Sequence, residues 1–392
     1  MSKRKGIPSL TGIRGVAAVW VMLFHAQQNA GTLFGLPALE RNPIFTNGWH
    51  GVDLFFMLSG FVLMYAHESD FAVLRWASIK RFARLRFIRI YPLNTAVLLG
   101  ITIPVLLSPD YVSWVRSQFG PLTYTSGAFV STLFLSTRWF LPERGDFNEP
   151  VWSLSLEILG YAAFPFLALF LQRAKNKKVL IGLAGLSLFT SFFILRQFAY
   201  EAKITQIAFV RMASCFLTGI IIYRCWALTA ETGRRWAAGV TYLAALGIVF
   251  STLGIFNHGR PFHNDFQDNF FFALLLYGLA FRTGLVDWIL SAAPIFFLGE
   301  ISFPLYLVHV MPLLWLRYYM SVNGAKHSVL VNSVFLLCWA IGSILLATLL
   351  HYLVEKPFQA WGRKWAGARA DQKASPKNAD WQRDLRGLFR KV

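Results

Sequence analysis

The residues that could do chemistry in this chain lie inside apolar runs. Arg14 and His25 stand eleven residues apart in LTGIRGVAAVWVMLFHAQQ, residues 10–28. On an α-helix that separation is about three turns, so both side chains share one face, roughly 16.5 Å apart along the axis. Asp53 in WHGVDLFFMLSGF, Glu157 in VWSLSLEILGY and His309 in ISFPLYLVHVMPL occupy further apolar runs. Ionisable groups in such surroundings are costly, which makes each a functional candidate. Two imidazoles and two carboxylates are the composition of a general acid/base site, in which a carboxylate orients an imidazole. Structural hydrogen bonds between helices explain one such group readily and four less well. A metal held by the same four groups lacks any ligand-pair spacing, so no metal is expected.

These groups need elements to position them, and composition says which. Of 392 residues, 56% are hydrophobic and only 15% charged, against about a quarter charged in soluble domains. A water-soluble core cannot hide that much apolar surface. The fold class is all-α, a polytopic transmembrane bundle. Ten spans are predicted, at roughly 8–29, 50–66, 90–107, 152–171, 179–196, 207–226, 239–256, 268–285, 294–316 and 331–354. Segment 127–141 is apolar but short and contains Arg138; it reads as interfacial or re-entrant. The first run is too long for a signal peptide, and Phe24 sits where cleavage after Ala26 wants a small residue, so it reads as an uncleaved span.

The formal charge of +19 points to nucleic acid at first sight. The charges, however, sit in short clusters between apolar runs, as in loops on one side of a bilayer, and no nucleic-acid partner is expected. With the N-terminus inside, segments 1–6, 67–89, 172–178, 224–238, 282 and 355–392 hold 27 of the 38 Lys and Arg, and the outer loops nine. This gives an N-in, C-in protein crossing the inner (plasma) membrane many times. His25, Asp53, Glu157 and His309 then fall at similar depth near the outer face. Cys215, Cys225 and Cys338 form no disulfide framework.

A second set of groups lies on the inner side. KRFARLRFIRIYPL carries Lys80, Arg81, Arg84, Arg86 and Arg89 at the mouth of span 3. Lys80 and Arg81 read as ordinary positive-inside charge. Arg86 and Arg89, three apart on one helix face, run into the span, and Arg14 lies in the inner half of span 1. Arginines at a membrane mouth suit phosphates, through paired charge-assisted hydrogen bonds. Residues 1–358 form the membrane domain. Residues 359–392 form a cytoplasmic basic tail whose end, DWQRDLRGLFRKV, has the pattern of an interfacial amphipathic helix.

Together these motifs resemble the acyltransferase-3 family of membrane acyltransferases. The resemblance is carried by the Arg14–His25 pair, GVDLFFMLSGF at 51–61, RFIRIYPL at 86–93, WSLSLE at 152–157, ISFPLYLVH at 301–309 and VEKPF at 354–358. It implies O-acyl transfer, usually of acetyl from cytoplasmic acetyl-CoA, to an outward-facing glycan or glycolipid acceptor. It marks Arg14 and His25 as the activity signature, and Arg86 and Arg89 as the arginines beside span 3. Some members carry a fused C-terminal hydrolase-like domain, for which too few residues follow 358. CoA is anionic and needs a basic mouth, and its long pantetheine arm could thread a channel lined by spans 1 to 4 and 9. His25 would deprotonate the acceptor hydroxyl or take the acyl group first, with Asp53 or Glu157 orienting it. Surface polysaccharide, lipopolysaccharide sugar, peptidoglycan and a small glycolipid all fit as acceptor, and the oligomeric state is open. The competing expectation is a transporter or flippase for an anionic lipid or sugar, which would use the same intramembrane charges without chemistry.

Overall fold

The computed structural model describes residues 6–139, 145–198, 204–253, 267–323 and 327–365. Every regular element among them is helical. Helices α1 (Pro8–Gln27), α2 (His50–His67), α3 (Trp76–Leu107) and α4 (Val151–Leu171) carry most of the polar groups singled out above. They are followed by α5 (Lys177–Phe198), α6 (Ile204–Thr229), α7 (Arg234–Thr252), α8 (Asp268–Leu279) and α9 (Gly284–Leu290). The chain then continues through α10 (Ala293–Glu300), α11 (Ser302–Val308), α12 (Val310–Asn323), α13 (Val329–Leu350) and α14 (Lys356–Trp365).

Among the described residues seven helices are long and apolar enough to cross a membrane, or up to nine spans when each of two bent pairs counts as one. The bends are 88° between α8 and α9, and 57° between α10 and the run formed by α11 and α12. The expected span at 239–256 falls on α7. That helix opens on Arg234 and Arg235 and is diluted by Thr241 and Tyr242, and it is not among the seven. Span 3 is longer than its apolar run, because α3 begins at Trp76 and carries the basic cluster on its first four turns. Segment 127–141 contains a helix of eight residues, Ser126–Leu133, about 12 Å long and too short to cross. The amphipathic pattern in DWQRDLRGLFRKV lies outside the described residues.

Glycines set the closest helix approaches. A side chain on Gly60 of α2 would strike the Phe216 carbonyl of α6, and one on Gly219 of α6 would strike the Met57 carbonyl of α2. Gly12 and Gly15 of α1 face the backbone of Leu290, Leu298 and Gly299 in the same way. Small residues allow backbones to approach where lipid supplies no hydrophobic drive for association. Gly219→Leu is therefore expected to cost more than the usual 1–3 kcal/mol of overpacking, since it meets backbone rather than a side chain that can turn away. The check is thermal melting of the purified protein in detergent; an unchanged midpoint would contradict this packing.

Two apolar clusters result. One is built mainly from α2, α4, α5, α6 and α8, the other mainly from α3, α11, α12 and α13, and α1 contributes to both. Phe55 and Tyr161 pack against both, and both line a cavity between the two clusters.

Candidate active site

His25 lies in the last turn of α1 and His309 at the junction of α11 and α12. Both are buried, and their rings meet with centroids 4.9 Å apart. His309 Nδ1 lies 3.0 Å from the Leu305 carbonyl and must donate to it. Its Nε2 is then the acceptor, 3.1 Å from His25 Nδ1. His25 Nδ1 also lies 2.9 Å from the Val21 carbonyl, so it carries a proton toward both partners. These protons are assigned from the bonding pattern. His25 Nε2 faces Glu149 Oε2 at 3.0 Å, and beside an ionised carboxylate it must donate.

Glu149 precedes α4 in the turn FNEPV, outside the spans, with its side chain 42% exposed. Its partial burial raises the carboxyl, but the charge and hydrogen bond of His25, with His309 and Arg317 behind it, outweigh this and hold it at about 2. It is ionised at any physiological pH. Arg317 of α12 ties the end of α1 in place, donating to the carbonyls of His25 and Gln28. Trp339 of α13 donates to the His309 carbonyl at 2.9 Å. The backbone at each histidine is thus fixed by groups from neighbouring helices.

The cavity, of about 260 Å³, is lined from five helices: α1, α2, α3, α4 and α11. They correspond to spans 1 to 4 and 9. Arg14, Arg86 and Arg89 all reach it, against the single carboxylate of Glu157, an excess of two positive charges. The Arg86 guanidinium lies over the rings of Phe82 (5.6 Å) and Tyr161 (5.9 Å), and its Nε is a buried donor without a hydrogen-bond partner. Ser153 and Tyr306 also line it, and their hydroxyls meet at 2.7 Å. Tyr306 lies against His309, ring centroids 6.2 Å apart.

Two of the four residues expected to form one acid/base cluster therefore meet, and two do not. Asp53 is fully buried in a different network. Its Oδ1 accepts from Arg211 Nε at 2.9 Å, and its Oδ2 lies 3.7 Å from His50, which in turn pairs with Asp268 at 3.2 Å. The reason is rotational. Asp53 lies seven residues before Gly60, two turns along the face of α2 that packs against α6. Arg211 of α6 also lies over the rings of Trp49 and Trp152. Glu157 accepts from Ser59 (2.6 Å) and Tyr161 (2.7 Å) in the cavity wall, at the arginine end. Neither carboxylate touches His25. The carboxylate that does, Glu149, escaped the sequence reading because it sits in a loop before the apolar run. A signal was present: Glu149, Ser153, Glu157 and Tyr161 are spaced by four, which on and just before α4 makes one polar stripe. Among the described residues no group of His, Cys, Asp and Glu is placed to hold a metal ion.

Fold and site together define a polytopic membrane protein with a buried histidine pair and a cationic cavity beside it. The chain belongs to the acyltransferase-3 family, whose family model, described as an acyltransferase domain, matches residues 7–352. Acyltransferase MdmB of Streptomyces mycarofaciens is 30% identical over 94% of this chain and 96% of that protein. O-acetyltransferase OatA of Staphylococcus aureus is 22% identical over 91% of this chain, which spans 58% of that longer protein. Peptidoglycan O-acetyltransferase OatA of Listeria monocytogenes is 26% identical over 48% of this chain and 28% of its own length. No solved structure matches the chain.

Proposed function

We propose that the protein transfers an acyl group, most simply acetyl, from cytoplasmic acyl-CoA to a hydroxyl of an extracytoplasmic glycan or glycolipid. The observation that carries this is a cavity lined by three arginines and by Tyr306, whose ring lies against one of the two paired buried histidines. Arg14, Arg86 and Arg89 hold the CoA phosphates. The pantetheine arm runs along the α4 stripe toward Ser153 and Tyr306. His25 acts in its neutral form, its Nδ1–H held by the Val21 carbonyl and His309 and its Nε2 turned from Glu149 to the acceptor hydroxyl, whose proton it takes. Glu149 stabilises the imidazolium that forms. The names of the two OatA relatives support acetyl as the group, and that of the Listeria relative supports a glycan as the acceptor.

In this reading Glu157 shapes the arginine end of the cavity through Ser59 and Tyr161. Asp53 clamps α2 to α6 through Arg211 and does no chemistry. The protein sits in the plasma membrane with both termini inside and α7 as one of ten crossings. Acetyl-CoA labelled in its acetyl group, incubated with purified protein, tests the reaction class. The label is expected to leave CoA, to an acceptor or to water. A carrier without acyl chemistry would leave it on CoA.

A further inference from the structure

Two hydroxyls line the cavity, and the histidine pair uses neither of them. Ser153 and Tyr306 are each 6% exposed, come from separate helices and meet in the cavity wall, with the Tyr306 ring against His309. A buried phenol must satisfy its proton, and here the bonding can be met in two ways. Ser153 can donate to the Pro150 carbonyl, 3.1 Å away, while Tyr306 donates to Ser153. Alternatively, Ser153 turns its proton to the Tyr306 oxygen, and the Tyr306 proton is released toward the cavity. Passing between the two requires only rotation of hydroxyl hydrogens. The Tyr306 ring is held edge-on by Phe55, centroids 5.7 Å apart, so the phenol keeps its place in both states.

We propose that Tyr306 donates this hydrogen bond to the thioester carbonyl oxygen of the acyl donor, and that Ser153 is the positioning residue that frees its proton to do so. The inference rests on the acyl-transfer reading above. In the step itself, the acceptor hydroxyl gives its proton to His25 Nε2 and its oxygen bonds the carbonyl carbon. The carbonyl π pair moves onto oxygen, where the Tyr306 O–H stabilises it. Collapse breaks the C–S bond; the sulfur leaves with the electron pair and takes the proton from His25. A donor aimed at developing negative charge in a dry site acts in the transition state more than in the ground state.

The test compares wild type, Tyr306→Phe and Ser153→Ala in native membranes supplied with labelled acetyl-CoA. Tyr306→Phe is expected to lower kcat by about 10²–10³-fold, as for loss of one oxyanion donor, with KM for acetyl-CoA within about twofold. Ser153→Ala, which keeps the phenol, is expected to lose about tenfold or less. Infrared spectra of bound acetyl-CoA carrying a ¹³C carbonyl give a second readout that packing alone would not move. The thioester stretch is expected to fall in wild type and to return to its solution position in Tyr306→Phe. A Phe variant with unchanged kcat, or one that keeps the shifted stretch, overturns the inference. A wild type that never releases the acetyl group from CoA overturns the transfer reading instead.

Discussion

Replacing His25 with alanine is expected to lower acyl transfer by about 10²–10⁴-fold, the usual contribution of a positioned general base. Alanine is the best helix former, so α1 keeps its geometry. The Arg317 bonds to the backbone carbonyls of His25 and Gln28 do not depend on the imidazole. The protein should therefore insert, purify as a single species and still bind acetyl-CoA. What it loses is the nitrogen facing Glu149 at 3.0 Å. His309 cannot replace it, because its Nδ1 is committed to the Leu305 carbonyl and its Nε2 points at His25. Label transfer from acetyl-CoA, measured beside a size-exclusion profile, is the check. Near wild-type turnover in a well-folded variant would remove His25 from the mechanism.

Removing the cavity arginines is expected to act on the donor rather than on the chemistry. Charge-assisted hydrogen bonds contribute about 1.5–3 kcal/mol each, which is roughly 10- to 150-fold in affinity. Arg86→Ala and Arg89→Ala should each weaken acetyl-CoA binding by that order, and the double variant by at least about 100-fold. Arg89→Lys should recover only part of the loss, since an ammonium lacks the planar fork that matches phosphate. Titration with acetyl-CoA, read as KM or as direct binding, decides the matter. Unchanged donor affinity with impaired use of acceptor would assign these arginines elsewhere.

How much of this was legible in the sequence depends on which coordinate is asked for. Apolar runs fix the height of a residue in the bilayer, and the heights of His25, Asp53, Glu157 and His309 follow from them. Periodicity also places Arg14 and His25 on one face of α1. Rotation of one helix against another is a different quantity, set by packing. The Gly60 and Gly219 crossing turns Asp53 toward Arg211 and away from His25. The same limit applies to Glu157, whose height is close to the histidines but whose partners, Ser59 and Tyr161, belong to the cavity wall. Glu149 was missed for another reason: a loop residue has no hydropathy signature, and its link to α4 shows only in the four-residue spacing. The five helices that line the cavity were legible, because each carries a polar group within an apolar run. The bend at Ile301 between α10 and α11, which aims Tyr306 and His309 inward, was not.

In the proposed reaction donor and acceptor meet across the membrane, with CoA at the inner arginines and the new ester formed outside. Membrane vesicles of defined orientation test it most directly, with labelled acetyl-CoA supplied only to the external medium. Inside-out vesicles expose the mouth at Arg86 and Arg89 and are expected to transfer label to acceptor within the lumen. Right-side-out vesicles, with that mouth sealed inside, are expected to transfer none until they are made permeable. Equal transfer by both orientations, or transfer only by right-side-out vesicles, would contradict the account.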